Sequence, residues 1–127
     1  MSTSTLTGLR QIAYVVADVP QAVGFFQQLG LPLLFQPAPQ LAFMALGDIR
    51  LMLTQPQGAG LCGQNSVLYL QCQQIEQQYQ RLLDMGVSGE RPPQCVAPMP
   101  DHDLWLAFFR DPEGNLLALL EEKLTKI

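Results

Sequence analysis

IAYVVADVPQAVGFFQQLGL (residues 12–31) and LYLQCQQIEQQYQRLLDMGV (residues 68–87) lie over one another without a gap when the chain is shifted by 56 residues. The shift sets Ile75 on Val19, Leu82 on Phe26, Met85 on Leu29 and Gly86 on Gly30. In the first copy the β-rich run QIAYVVA (11–17) leads into Asp18 and Pro20, which stand where a helix cap and a first-turn proline belong. Val19, Ala22, Val23, Phe26 and Leu29 then recur at three- and four-residue spacing and mark one face of a helix. The helix stops at Gly30, a residue type common just past a C-terminus. Both copies read strand, helix, glycine.

Strand-like segments follow each copy: LPLLF, LAFMAL and IRLMLT in the first half, QCVA, LWLAFF and NLLALL in the second. The chain parses as one domain of two βαβββ modules, 8–54 and 67–122, with the Gly- and Gln-rich stretch QPQGAGLCGQNS (55–66) as linker and 123–127 as a C-terminal tail. A lone βαβββ sheet leaves one face bare. Pairing two predicts an α+β fold with a curved eight-stranded mixed sheet around a concave cavity, helices outside. The proline-rich piece SGERPPQCVAPMPDHD (88–103) reads as an irregular loop over such a pocket.

With 127 residues, 48% of them hydrophobic, the chain is long enough to bury a real core. The formal net charge is −4 and no Lys/Arg cluster is present, which excludes a phosphate-neutralising nucleic-acid surface. No apolar run reaches the roughly 20 residues of a membrane span. The start MSTSTLTG lacks the basic and hydrophobic regions of a signal peptide, so a cytoplasmic location is expected. Cys62, Cys72 and Cys95 have no CxxC spacing and read as free thiols, with Cys72 buried.

Near the C-terminus FFRDPEGNLLALLEE (108–122) holds a tight turn ahead of a strand that is apolar on both faces. Asp111 can bond the backbone ahead of it, Pro112 fixes φ at the turn's second position, and Gly114 supplies a positive φ. The acidic character of DPEGN belongs to turn structure rather than catalysis.

The repeat, LRQIAYVVADV near the start, GDIRLML at the end of the first module and FFRDPEGNLLALL at the end of the second together resemble the vicinal-oxygen-chelate superfamily, the glyoxalase, bleomycin-resistance and extradiol-dioxygenase group, over residues 8–122. The resemblance implies a small-molecule partner and a homodimer. It leaves activity open, because such a fold hosts isomerases, lyases, dioxygenases, transferases and plain binders. Enzymes of the group hold a divalent metal with His on the first strand of each module and Glu on the last. By resemblance those positions fall on Gln11, Val67, Met52 (Leu51 if the register slips by one) and Ala118. None offers imidazole, carboxylate or thiolate. The expectation is a metal-free member without a cofactor.

Along DIRLMLT the alternation sets Arg50, Met52 and Thr54 on the face opposite Ile49, Leu51 and Leu53, and the resemblance turns the first set toward the cavity. A charge there calls for an anionic partner, from the protein or from a ligand. Gln11 and Tyr69 are further polar tips for the same side, and Ala13, Phe43, Val67, Leu106, Phe108 and Ala118 complete the expected lining. On the penultimate strand Leu104, Leu106 and Phe108 alternate inward while Trp105, Ala107 and Phe109 face a helix. His102, the only histidine, is the candidate for acid–base chemistry or ligand contact, against an exposed loop histidine held between Asp101 and Asp103. Three functions fit: a binder of a small, largely apolar molecule, neutral or anionic; a lyase, isomerase or dioxygenase using His102 or unusual metal ligands; and an antibiotic-sequestering protein.

Overall fold

The structure, a computed structural model, describes residues 5–57 and 60–125. The first four residues of MSTSTLTG, residues 58 and 59 of the linker and the last two residues of the tail lie outside the described residues. The chain divides into two compact units, Met1–Asn65 and Ser66–Ile127, and each is a βαβββ module with a four-stranded mixed sheet.

Unit 1 contains β1 (Gln11–Val15), α1 (Val19–Gln28), β2 (Leu33–Ala38), β3 (Leu41–Leu46) and β4 (Ile49–Thr54), with the sheet in the order β1-β4-β3-β2. β1 and β4 run parallel because a helix and a hairpin separate them; the other pairs are antiparallel. The Asp18 carboxylate accepts the Gln21 N–H at 3.0 Å at the start of α1, and Gly30 stands just beyond its end at φ +100°. Tyr14, Val16, Ala42, Met44, Leu51 and Leu53 are buried with Val19 and Phe26 of α1. Tyr14 meets Phe26 edge-on at 5.4 Å. Each such side chain contributes about 1.5–3 kcal/mol on burial, so this face holds the unit together and the opposite face is left open.

Unit 2 contains β5 (Leu68–Gln71), α2 (Ile75–Asp84), β6 (Ser88–Pro98), β7 (His102–Arg110) and β8 (Leu116–Leu124), in the order β5-β8-β7-β6. Its helix begins at Ile75, 56 residues after Val19, and both helices have ten residues. The repeat drifts after the helix because the second hairpin is longer. Its core is Leu68, Ala107, Phe109, Leu117 and Leu119 against Ile75, Tyr79 and Leu82. The turn is built as the residues suggest: Asp111 Oδ1 accepts the N–H groups of Glu113 (2.9 Å) and Asn115 (2.8 Å), Oδ2 accepts Asn115 Nδ2 (2.9 Å), and Gly114 adopts φ +83°.

Two readings are corrected here. Residues 88–98 form one strand, β6, which contains the expected strand QCVA (94–97) and extends it back through 88–93, where an irregular loop was expected, and Cys95 lies within it. Three register shifts break its pairing with β7, one of them between Arg91 and Gln94, where Pro92 and Pro93 lack N–H donors. β6 is an edge strand, the place where a sheet tolerates proline. Cys72 is half-buried rather than buried, since it follows the last residue of β5.

The repeat also hides a substitution. Gln74 occupies the position of Asp18 but has φ +56° and makes no side-chain cap. The Glu121 carboxylate takes over, accepting the N–H groups of Gln74 at 3.1 Å and Ile75 at 2.9 Å. No helix among the described residues is long and apolar enough to cross a membrane.

Candidate functional site

In unit 1 the strand register aligns Ala13, Met52, Phe43 and Phe35 in one row across all four strands. These residues sit on the face away from α1, since Tyr14 and Leu51, their neighbours in sequence, are buried in the core. Phe35 is 55% exposed and stacks on Phe43 with ring centroids 4.9 Å apart and planes 20° from parallel. Gln11, Arg50 and Ala45 form the adjacent row. Arg50 Nε donates to Gln11 Oε1 at 3.0 Å, and Gln11 Nε2 donates to Met52 Sδ at 3.6 Å. Gln11 therefore orients the guanidinium, which has no carboxylate partner among the described residues. The backbone carbonyl of Asp48, two residues before Arg50, accepts from Arg10 Nη1 at 3.0 Å.

In unit 2 the equivalent row is Tyr69, Ala118, Phe108 and Arg91. Ala118 is fully buried although it lies on the face away from α2, and its two cross-strand neighbours explain this: Tyr69 and Phe108 meet edge-on at 6.1 Å. The Arg91 guanidinium sits over the Phe108 ring, 5.7 Å from its centroid, and has no carboxylate partner among the described residues either. Leu106 lies farther along β7, opposite Leu120, and Val67 precedes β5 by one residue. Arg91 and Phe35 are the residues that the sequence reading missed. Arg91 was hidden in a stretch read as loop; once β6 is a strand, its pairing with Phe108 puts it in the row.

His102 is not an exposed loop histidine. It opens β7, its side chain is 15% exposed, and its second acidic partner is Glu122, not Asp103. Nδ1 lies 2.7 Å from Asp101 Oδ1 and Nε2 lies 3.3 Å from Glu122 Oε2. Asp103 pairs with Lys123 across the strands. The two carboxylates approach opposite ring nitrogens, so they do not converge with one nitrogen on a common point. Among the described residues no group of three or more His, Cys, Asp or Glu could hold a metal ion. The positions at which related enzymes bind a metal do not fit one here: the Met52 sulfur accepts the Gln11 amide, and Ala118 lies beneath two rings.

A groove of about 630 Å³ lies at the end of the unit 2 sheet, lined by Gln71, Cys72, Gln74, His102, Glu121 and Glu122 among others. Burial pushes the Cys72 thiol up to about 11, and the nearby Glu121 and Glu76 carboxylates add to the shift. Cys62 and Cys95 are exposed, and all three cysteines are free.

Two βαβββ units with helix-backed sheets and open apolar rows define a family. Residues 8–119 match the model of the Glyoxalase/Bleomycin resistance protein/Dioxygenase superfamily, and the chain belongs to it. Solved structures share the fold. TnmS3, an antibiotic binding protein from Streptomyces sp. CB03234, is 22% identical with a TM-score of 0.76 over 95% of this chain and 100% of its own. Lactoylglutathione lyase from Agrobacterium tumefaciens is 20% identical with a TM-score of 0.75 over 91% of this chain and 94% of its own. TioX from Micromonospora sp. ML1 is 18% identical with a TM-score of 0.72 over 91% and 98%. No curated protein matches the chain.

Proposed function

We propose that this protein is a metal-independent member of the superfamily that binds a small, largely apolar anion on the open faces of its sheets. One observation carries the reading. Each open face presents an apolar row beside an arginine that lacks a carboxylate partner among the described residues, Arg50 in unit 1 and Arg91 in unit 2, in a chain whose formal net charge is −4. Elsewhere on the fold Arg110 pairs with Glu90 at 3.0 Å and Lys123 with Glu76 at 2.7 Å, while Arg10 and Arg81 also lack a carboxylate partner among the described residues, so what marks Arg50 and Arg91 is the apolar row beside each. A guanidinium beside apolar side chains gains from a carboxylate or phosphate that meets its planar fork through two hydrogen bonds. TnmS3, an antibiotic binding protein, and a lactoylglutathione lyase share this fold about equally, so binder and enzyme are told apart by the site: the arginines without carboxylate partners among the described residues oppose a cationic drug. Three free thiols suit a reducing compartment such as the cytoplasm.

The test is calorimetry with octanoate and octanamide on the parent and on Arg50→Met. Octanoate binding should weaken by about 10- to 100-fold, the scale of a charged hydrogen bond, and octanamide binding should not change. Equal losses for acid and amide would end the charge-reading role of Arg50. Native mass spectrometry of protein taken from cells would show the bound anion directly and count the chains, a homodimer being the expected assembly. A tightly held stoichiometric transition metal in that spectrum would overturn the metal-independent reading.

A further inference from the structure

We infer that the open face of unit 2 selects a planar aromatic anion, with the ring system against Tyr69 and Phe108 and the acidic group at Arg91. This deepens the proposed function and rests on it. Tyr69 is 50% exposed, and Phe108 is half-buried. The three members of this cross-strand row that project from the face are thus two rings and a guanidinium, while the fourth, Ala118 between the two ring-bearing strands, is a methyl group beneath the rings. The strip is continuous: Tyr69 touches Phe108 edge-on, and Arg91 lies over Phe108. Edge-on contact directs the positive rim of one ring at the negative face of the other, which leaves Tyr69 and Phe108 surfaces for a third ring. Arg91 is already placed against a π face, so a ligand ring beside Phe108 would bring its own acidic substituent within reach of the same guanidinium.

Charge complementarity identifies the occupant's sign. Along this row there is no carboxylate, and the acids nearest in the strands are engaged: Glu90 with Arg110, and Glu122 with His102. A cationic aromatic would meet Arg91 unopposed. A saturated acid of equal size would satisfy Arg91 but would forgo the ring contacts, so flatness is what this face distinguishes.

The experiment is a protein-observed NMR titration of the full chain with 2-naphthoate, decahydro-2-naphthoate and 2-naphthamide, on the parent, Phe108→Leu, Phe108→Tyr, Arg91→Met and Arg91→Lys. The parent should bind 2-naphthoate about three- to tenfold more tightly than the saturated acid, the range of an aromatic pair. Phe108→Leu should erase that preference and Phe108→Tyr should keep it. Arg91→Met should erase the preference for naphthoate over naphthamide, with Arg91→Lys restoring part of it. Equal affinity for the flat and the saturated acid, with charge dependence intact, overturns this inference and leaves the proposed function standing. Binding of none of the three probes overturns both.

Discussion

Replacing Ala118 by glutamate puts an acid at the last-strand position to which the family resemblance assigns one, and the structure sets the cost. Ala118 is fully buried, flanked on β5 and β7 by Tyr69 and Phe108, whose rings are 6.1 Å apart. A longer side chain must either part the rings or remain beneath them. Parting them forfeits an aromatic pair, about 0.5–1.5 kcal/mol. Remaining buried leaves a polar group without a donor, about 1–3 kcal/mol by protein substitution data. The expected loss is about 0.5–3 kcal/mol depending on which of the two occurs, which for a domain of this size lowers Tm by a few degrees up to roughly 10 °C. The sign of the pH dependence separates charge from bulk. A buried, unpaired carboxyl has its folded-state pKa raised, so the variant recovers stability relative to the parent as pH falls from neutral toward the ordinary glutamate value, about 4.3. Ala118→Gln should show the steric loss without that recovery. Thermal unfolding followed by circular dichroism reads both. An unchanged Tm for Ala118→Glu would mean that the two rings do not cover the position, and the account of how this strand dispenses with its acid would fall.

Further outcomes follow from the second helix and the thiols. Glu121→Ala should cost about 0.5–2 kcal/mol in urea unfolding, because the carboxylate caps the N–H groups of Gln74 and Ile75. Gln74→Gly relieves the left-handed backbone at φ +56° and should offset part of that loss in the double variant; a further loss would argue against strain at this residue. Cys62 and Cys95 should react quickly with a thiol reagent near pH 8 while Cys72, with its pKa near 11, lags; Glu121→Gln should hasten it. The raised thiol pKa also predicts a stability contribution present below the ordinary value of about 9 and lost as pH rises through about 11. A thiol equally reactive at all three sites would contradict the burial of Cys72.

The helices and the order of elements were legible because they depend on local chemistry. Asp18, Pro20 and Gly30 punctuate α1, and the register shift of 56 residues carries the same limits onto α2. What failed depended on residues far apart in the chain. Pro92 and Pro93 argue for a loop until β6 is known to be an edge strand, and the sheet order is not a local property. His102 looks suited to Asp101 and Asp103, but strand alternation sends Asp103 to the other face, and Glu122 arrives from β8. Glu121 as the cap of α2 bridges 46 residues to Ile75. The Gln11–Arg50 pairing follows from the parallel alignment of β1 with β4, which the alternation of either strand alone does not give. That Gln11, Met52, Val67 and Ala118 offer no imidazole, carboxylate or thiolate was readable from residue types; the ring closure over Ala118 was not.

The outer edge of β1 has a consequence for how the chain behaves in company. Val15 donates its N–H to Asn65 Oδ1 and accepts from Asn65 Nδ2, both at 2.9 Å. A single carboxamide thus presents the donor and acceptor that a neighbouring strand would offer, and it does so on an edge strand. Foreign strands that pair with exposed edges nucleate aggregation and domain swapping. Asn65 works as a plug one residue long, closing the edge at Val15 against recruitment of another chain while leaving Gln11 and Ala13, farther down β1, uncovered by it.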